Sequence, residues 1–357
     1  MSDKNTSSQG DFIKKQILFI TIGEWGYSRS WTFFSGMKET GLPVTFLKTT
    51  SSRLVKEILL LRKQYSRDDI FIIMSPSQIL VPIVRFFLGP NIILDAGWSL
   101  FEGTVISRKR FGLFGYNAVK NYLIDLTASH LARKVILESE AQKYFYKKIF
   151  FMPKQKCYVL YTGIEELAFY ENRDYLKPID LFNNKKIILF RGKFNPEAGI
   201  EILSEATKLL SSEKITFWVF CPGLPSNIHF SSNTIISKDF LSKSEIATIQ
   251  TACAISLGQL ANHSRLKRTI PHKAFEAAYL ASPYLSARNE GVLELFTEGK
   301  DIECFTPGDP SDLANKIMNL INDSDKLDSM SIEIHSTYNN LMSQSKLTTQ
   351  LLQIIGP

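Results

Sequence analysis

The sequence is poor in the residues that build metal centres and disulfides. Its 357 residues hold four cysteines (Cys157, Cys221, Cys253, Cys304) and five histidines (His130, His229, His263, His272, His335), with no Cys-x-x-Cys or mixed Cys/His ligand spacing. Buried thiols are expected, and no structural metal. No apolar run reaches the roughly 20 residues that span a bilayer. The N-terminal run MSDKNTSSQGDF lacks the apolar core of a signal peptide. Together these absences predict a cytoplasmic protein. No DNA- or RNA-binding motif is present and the basic residues are scattered over several elements, so nucleic acid is not an expected partner.

What the chain does contain is ordinary globular composition, 44% hydrophobic and 22% charged, in a length that accommodates two cores. Its net charge of +7 is uneven: residues 1–180 carry 25 Lys+Arg against 17 Asp+Glu, whereas 181–357 carry 17 against 18. A basic first half beside a neutral second half points the first towards an anionic partner, either a membrane surface or a phosphate-bearing acceptor.

Beyond a polar N-terminus expected to be disordered over 1–15, apolar runs at 16–22, 44–47, 70–74, 91–95, 134–137 and 157–160 alternate with helical patterns. Such alternation predicts a parallel sheet with helices on both faces, an α/β domain over 16–170. Residues 171–184 read as a linker, 185–330 as a second domain of the same kind, and 331–357 as a closing C-terminal helix. Ligands of such sheets bind beyond the strand C-termini. Gly23 and Gly26 permit backbone approach there, Glu24, Trp25 and Tyr27 are candidate acceptor contacts, and Asp95 ends a strand at the same edge. The stretch 107–133 mixes Arg108, Lys109 and Arg110 with Phe111, Leu113, Phe114 and Tyr116, a composition suited to peripheral contact with an anionic lipid surface.

The densest chemistry lies in TIPHKAFEAAYLASPYLSARNEGVLELF, residues 269–296. Thr269 is a candidate helix cap with Pro271 in the first turn, and Ser282-Pro283 is the stop. Ala274, Phe275 and Ala278 form an apolar side, with Lys273 and Glu276 on the other. A lysine at a helix N-terminus suits an anion, and a carboxylate one turn on suits paired hydroxyls, which together fit a phosphate plus a ribose. Upstream, the strand 186–190 ends in Arg191, Gly192 and Lys193. Asn195 is a candidate cap there, with Pro196 at the first helical position. Ser242 to Glu245 has capping-box spacing, and Asp309-Pro310 opens a further helix.

The order of these motifs resembles the retaining GT-B glycosyltransferases of family 4, the glycosyl transferases group 1. The resemblance is strong over 185–323 and mostly topological over 16–170. It implies two Rossmann-like domains facing across a cleft, an NDP-sugar donor held by the second and a glycan or lipid-linked acceptor by the first. It further implies a place in cell-surface polysaccharide or glycoconjugate synthesis at the inner face of the membrane, with no metal or other cofactor. Carried over residue by residue, Glu276 holds the ribose, Arg191, Lys193 and Lys273 stabilise the leaving diphosphate, and Gly192 and Glu294 line the donor. Gly23, Glu24 and Asp95 face the acceptor.

Two positions depart from the family pattern. Ala198 stands where a lysine is usual and Arg268 where a sugar-contacting glutamate is usual, so charge for the diphosphate is sought from Arg265, Lys267, Arg268 or Lys273. A catalytically degenerate nucleotide-sugar-binding or partner protein remains an alternative, as does a nucleotide-sugar epimerase of the same fold.

Overall fold

The computed structural model describes residues 15–22, 28–50, 53–169 and 186–356. The chain divides into two compact units, one of residues 1–163 together with 344–357, the other of residues 164–343. The proposed linker 171–184, the loop with Gly23, Glu24, Trp25, Gly26 and Tyr27, and residues 1–14 lie outside the described residues.

The first unit is a six-stranded parallel sheet in the order β2-β1-β3-β4-β5-β6. Its strands are β1 (Ile17–Ile22), β2 (Val44–Thr49), β3 (Ile70–Met74), β4 (Ile92–Gly97), β5 (Lys134–Leu137) and β6 (Cys157–Val159). Between them run α1 (Ser28–Glu39), α2 (Leu54–Leu61), α3 (Leu80–Phe87), a π-helical turn (Glu102–Ser107), α4 (Tyr116–Leu131) and α5 (Glu140–Ile149). Strands β3 and β4 are buried along their whole length, as apolar runs covered on both sheet faces must be.

The second unit repeats the plan in the order β12-β11-β10-β7-β8-β9. Its strands are β7 (Lys186–Arg191), β8 (Ile215–Phe220), β9 (Thr234–Ser237), β10 (Ile255–Leu257), β11 (Tyr284–Ala287) and β12 (Glu303–Phe305). Its helices are α6 (Ile200–Leu209), α7 (Lys243–Ala252), α8 (His272–Tyr279), α9 (Glu290–Leu293), α10 (Pro310–Ile321) and α11 (Ser324–Leu341). The last helix, α12 (Gln344–Ile355), belongs to the first unit, where Leu347, Leu351, Ile354 and Ile355 join the core around Phe19, Phe33 and Met37. The expected closing segment 331–357 is thus parts of two helices that serve different units. All four cysteines are buried and free, and no described helix is long and apolar enough to cross a membrane.

Local chemistry explains most boundaries. Ser242 and Glu245 form a reciprocal capping box on α7. The Asp309 side chain accepts from Ser311 N and Asp312 N to open α10, with Pro310 at its first position. Two expected caps are displaced. The Asn195 Oδ1 accepts from Ala198 N within a turn, and α6 starts five residues later behind Gly199, whose φ is 67° and where a Cβ would meet Ala261 N at 2.6 Å. Helix α8 likewise starts at His272 behind Pro271, so Thr269 is not its cap.

Asp95 corrects a second expectation. It is fully buried, and Arg29 reaches it through Nε at 2.9 Å and Nη2 at 2.7 Å while Nη1 donates to Leu160 O at 2.7 Å. Burial raises the Asp95 pKa against the pull of Arg29. This carboxylate fastens α1 to the end of β4 and does not face an acceptor hydroxyl. Replacing Arg29 by Ala strands the charge in the core, so Arg29→Ala should cost about 3–5 kcal/mol. Urea unfolding followed by circular dichroism measures it, and a loss below about 1 kcal/mol would show the pair to be dispensable.

Candidate functional site

In the second unit the chain lays down β7, β8 and β9 in one direction, then returns to place β10 on the other side of β7. Ligands of open parallel sheets bind beyond such a reversal point, at the strand C-termini. Arg191 closes β7 there, and Gly258 follows the last residue of β10.

Four side chains converge on this edge. Arg191 and Glu276 form an ion pair through Nη2 and Oε2, with Glu276 only 5% exposed. Nδ1 of His272, one turn before Glu276 on α8, lies 3.2 Å from Oε1. Burial, with Arg191 and Lys243 nearby, pushes the His272 pKa down to about 3, so the ring is neutral and donates to the carboxylate through Nδ1–H. Burial also lowers Arg191 to about 10, which leaves it charged at neutral pH.

Lys273 runs beneath these groups. Its Nζ donates to Gly258 O at 3.3 Å and stands 4.2 Å from the centroid of the Phe190 ring. Burial, then the charge of Arg191, lowers its pKa to about 7. The two glycines make this packing possible. A Cβ on Gly192 would stand 3.1 Å from Lys273 Cε and Nζ, and one on Gly258 would meet Ser286 Oγ and Tyr284 Oη at 2.4 Å. Lys273 and Glu276 were expected to share the side of α8 opposite its apolar face. The helix is buried nearly all round, and its charged side faces the strand ends.

Of the remaining candidates, Lys193 is exposed and overlooks the Phe240 ring at 5.3 Å. With Arg191, Gly192, Phe220, Asp239 and Phe240 it lines a hollow of about 160 Å³. Arg265 is buried, its Nε 3.7 Å from Glu197 in the turn that carries Ala198, itself a core residue. Lys267 is exposed, 3.9 Å from Glu290, and lines a different hollow of about 260 Å³ with Asn262, Arg288 and Asn289. Arg268 is half-buried at the end of the 3-10 turn Ser264–Lys267. Glu294 follows α9 at its C-terminal end, whereas the residues that start the helix are Asn289, whose side chain caps it, and Glu290.

The structure therefore brings together Arg191, Gly192, Lys193, Lys273 and Glu276, and leaves Lys267 and Glu294 on other elements. His272 was not foreseen. The i, i+4 spacing to Glu276 was its available signal. Among the described residues no group of three or more His, Cys, Asp or Glu side chains is placed to hold a metal ion.

A parallel-stranded pair of Rossmann-like units with basic side chains at the reversal point of the second defines the GT-B class of proteins. Solved structures of that class match nearly the whole chain. HepE of Anabaena in complex with UDP superposes with a TM-score of 0.69 at 15% identity, covering 95% of this chain and 98% of that one. Sucrose-phosphate synthase of Thermosynechococcus elongatus gives 0.73 at 11% identity over 95% and 98%. The UDP-forming α,α-trehalose-phosphate synthase of Burkholderia vietnamiensis gives 0.68 at 10% over 96% of each. No curated protein matches the sequence. Residues 185–323, within the second unit, match the model of the family Glycosyl transferases group 1.

The buried amine makes stability depend on pH. Unfolded, Lys273 holds its proton up to about 10.5, but folded only up to about 7. Between those values the unfolded chain binds more protons, so the cost of burying this lysine is full below pH 7 and is relieved as pH rises. Thermal unfolding between pH 7 and 10 should show a stabilising contribution with a slope of up to about 1.4 kcal/mol per pH unit that Lys273→Met removes. Parallel profiles for both proteins would refute it.

Proposed function

We propose that the chain is a glycosyltransferase that takes a sugar from a nucleoside diphosphate donor bound at the strand ends of the second unit and transfers it with retention. The observation that carries this is the convergence of Arg191, Lys273 and Glu276, two cations and one carboxylate on a glycine-cleared edge. Neighbours of the same fold have been solved with UDP and with UDP-glucose, which supports the choice of donor.

Glu276 holds the ribose hydroxyls as an acceptor of paired hydrogen bonds. In the free protein it is held by Arg191 and His272, so a nucleotide that engages it frees the Arg191 guanidinium for the diphosphate. Lys193 at the rim and Lys273 beneath Gly192 complete the charge that the departing diphosphate needs, a preorganised field that requires no metal. Gly192 lets the backbone approach the phosphates. Lys273 is the first candidate for the charge missing at Ala198, since Arg265 is paired with Glu197, and Glu294 is assigned to the sugar end of the donor. The acceptor, a glycan or a lipid-linked saccharide, falls to the first unit near Gly23 and Glu24. Cell-surface polysaccharide or glycoconjugate synthesis on the cytoplasmic side of a membrane is the setting this chemistry suits.

A degenerate, binding-only protein is the second reading, favoured by Ala198 in the core and Arg268 at the place of a glutamate. Purified protein incubated with a panel of UDP-, GDP- and ADP-sugars separates the two. Release of nucleoside diphosphate with transfer or hydrolysis supports the enzyme. Binding without turnover across donors and acceptors supports the degenerate protein. Independently, Glu276→Ala should weaken nucleotide binding at least about tenfold in calorimetric titration, since charged hydrogen bonds contribute about 1.5–3 kcal/mol each. The variant should keep its circular dichroism spectrum. Unchanged affinity in the folded variant would sink the ribose assignment.

A further inference from the structure

Between Ile70 and Leu137, a stretch of the first unit that includes α3 and α4, the carboxylates are Asp95, Glu102 and Asp125, and all three are fully buried. The cations of the same stretch remain at the surface. Lys109, Arg110 and Lys120 are exposed and Arg108 half-buried, while Arg85, Arg133 and Lys134 are half-buried and donate to backbone carbonyls elsewhere. The face is therefore of one sign.

It is also apolar. Phe114 is 89% exposed, Tyr116 80%, Phe86 79% and Leu113 55%, and Ile79, Val119 and Leu123 stand open beside them. Spacing on the two helices collects these groups, with Ile79, Pro82 and Phe86 along one side of α3 and Tyr116, Val119 and Leu123 along one side of α4. Between the helices lies a groove of about 450 Å³ lined by Ile79, Pro82, Tyr116, Val119, Leu123 and Ile124. Lys120 sits on its wall and Arg108 to Arg110 precede the loop that carries Phe114. Contiguous apolar surface rimmed by charge marks an interaction site rather than ordinary solvent-facing helix.

We infer that this face docks on an anionic lipid bilayer, with Leu113, Phe114 and Tyr116 entering the interface, Arg108, Lys109, Arg110 and Lys120 meeting the headgroups, and the α3–α4 groove accommodating an acyl chain. Two features select this occupant. An apolar groove flanked by cations matches a molecule that joins a hydrocarbon tail to a negative headgroup. A second copy of the chain would set one cationic face against another, with no exposed carboxylate from this stretch to offset them. The inference stands apart from the transfer reaction, because its readout is vesicle binding and needs no donor or acceptor.

Co-sedimentation of the full chain with vesicles tests it. The protein should pellet with vesicles of phosphatidylcholine mixed with phosphatidylglycerol, stay in solution with phosphatidylcholine alone, and be released as salt is raised. The triple variant Arg108→Gln, Lys109→Gln, Arg110→Gln should lose at least about tenfold in partitioning, since each such charge near the surface adds to the attraction. Phe114→Ser with Tyr116→Ser, at positions too exposed to disturb the core, should lose a similar factor. Folded protein that ignores both vesicle types would overturn the inference, as would equal binding to neutral vesicles or full binding by either variant. Lipid-free self-association, or capture of an acidic protein, abolished by the Phe114 and Tyr116 changes without any vesicle binding would reassign the face to a protein partner.

Discussion

A half-buried arginine paired with a carboxylate stands beside a buried lysine at the edge of the second sheet, and much of the local structure exists to keep them there. Arg191 is drawn to Glu276, while Lys273 meets a carbonyl and the Phe190 ring. Burial weakens its hold on a proton and opposes burying its charge. Such an arrangement persists because the glycines at 192 and 258 remove the atoms that would fill the space, and because a helix buried nearly all round fixes where the amine points. An anion entering beside these cations supplies the countercharge that the free protein lacks at that point.

The first unit offers an instructive contrast. There the places are exchanged, and an arginine on the helix after the first strand meets a carboxylate at a strand end. Arg29 and Asp95 are fully buried, and the guanidinium is used up by the carboxylate and the Leu160 carbonyl. That pair ties a helix to a sheet. Arg191, by contrast, borders a hollow that Lys193 and Asp239 also line. Access to the guanidinium, rather than the identity of the two residues, separates a fastening from a site.

Much of the architecture was legible in the sequence because apolar runs of strand length alternate with helical patterns, and a parallel sheet follows from that alternation whatever the surface chemistry. Caps with short-range partners, such as Ser242 with Glu245 and Asp309 with Ser311, were equally legible. Periodicity went only part of the way on α8. It shows that Lys273 and Glu276 share a side but not whether that side meets water, and here the ends of β7 and β10 meet it. Asp95 misled likewise, since a carboxylate at a strand end is offered to a ligand only if no arginine from another element claims it. Glu294 lies at the end of a helix that Asn289 caps, a placement that only the cap geometry reveals. Distances between elements far apart in sequence, such as Arg191 to Glu276, have no local signal at all.

The return of α12 to the first unit has a consequence for how the protein is made. Leu347, Leu351, Ile354 and Ile355 pack among residues that leave the ribosome some three hundred positions earlier, including Phe19, Phe33 and Met37. The first unit therefore cannot complete its core during its own synthesis and must wait, with that apolar surface uncovered, until the second has been translated. The second unit, continuous from 164 to 343, is under no such delay. In this chain the core begun first is the one completed last.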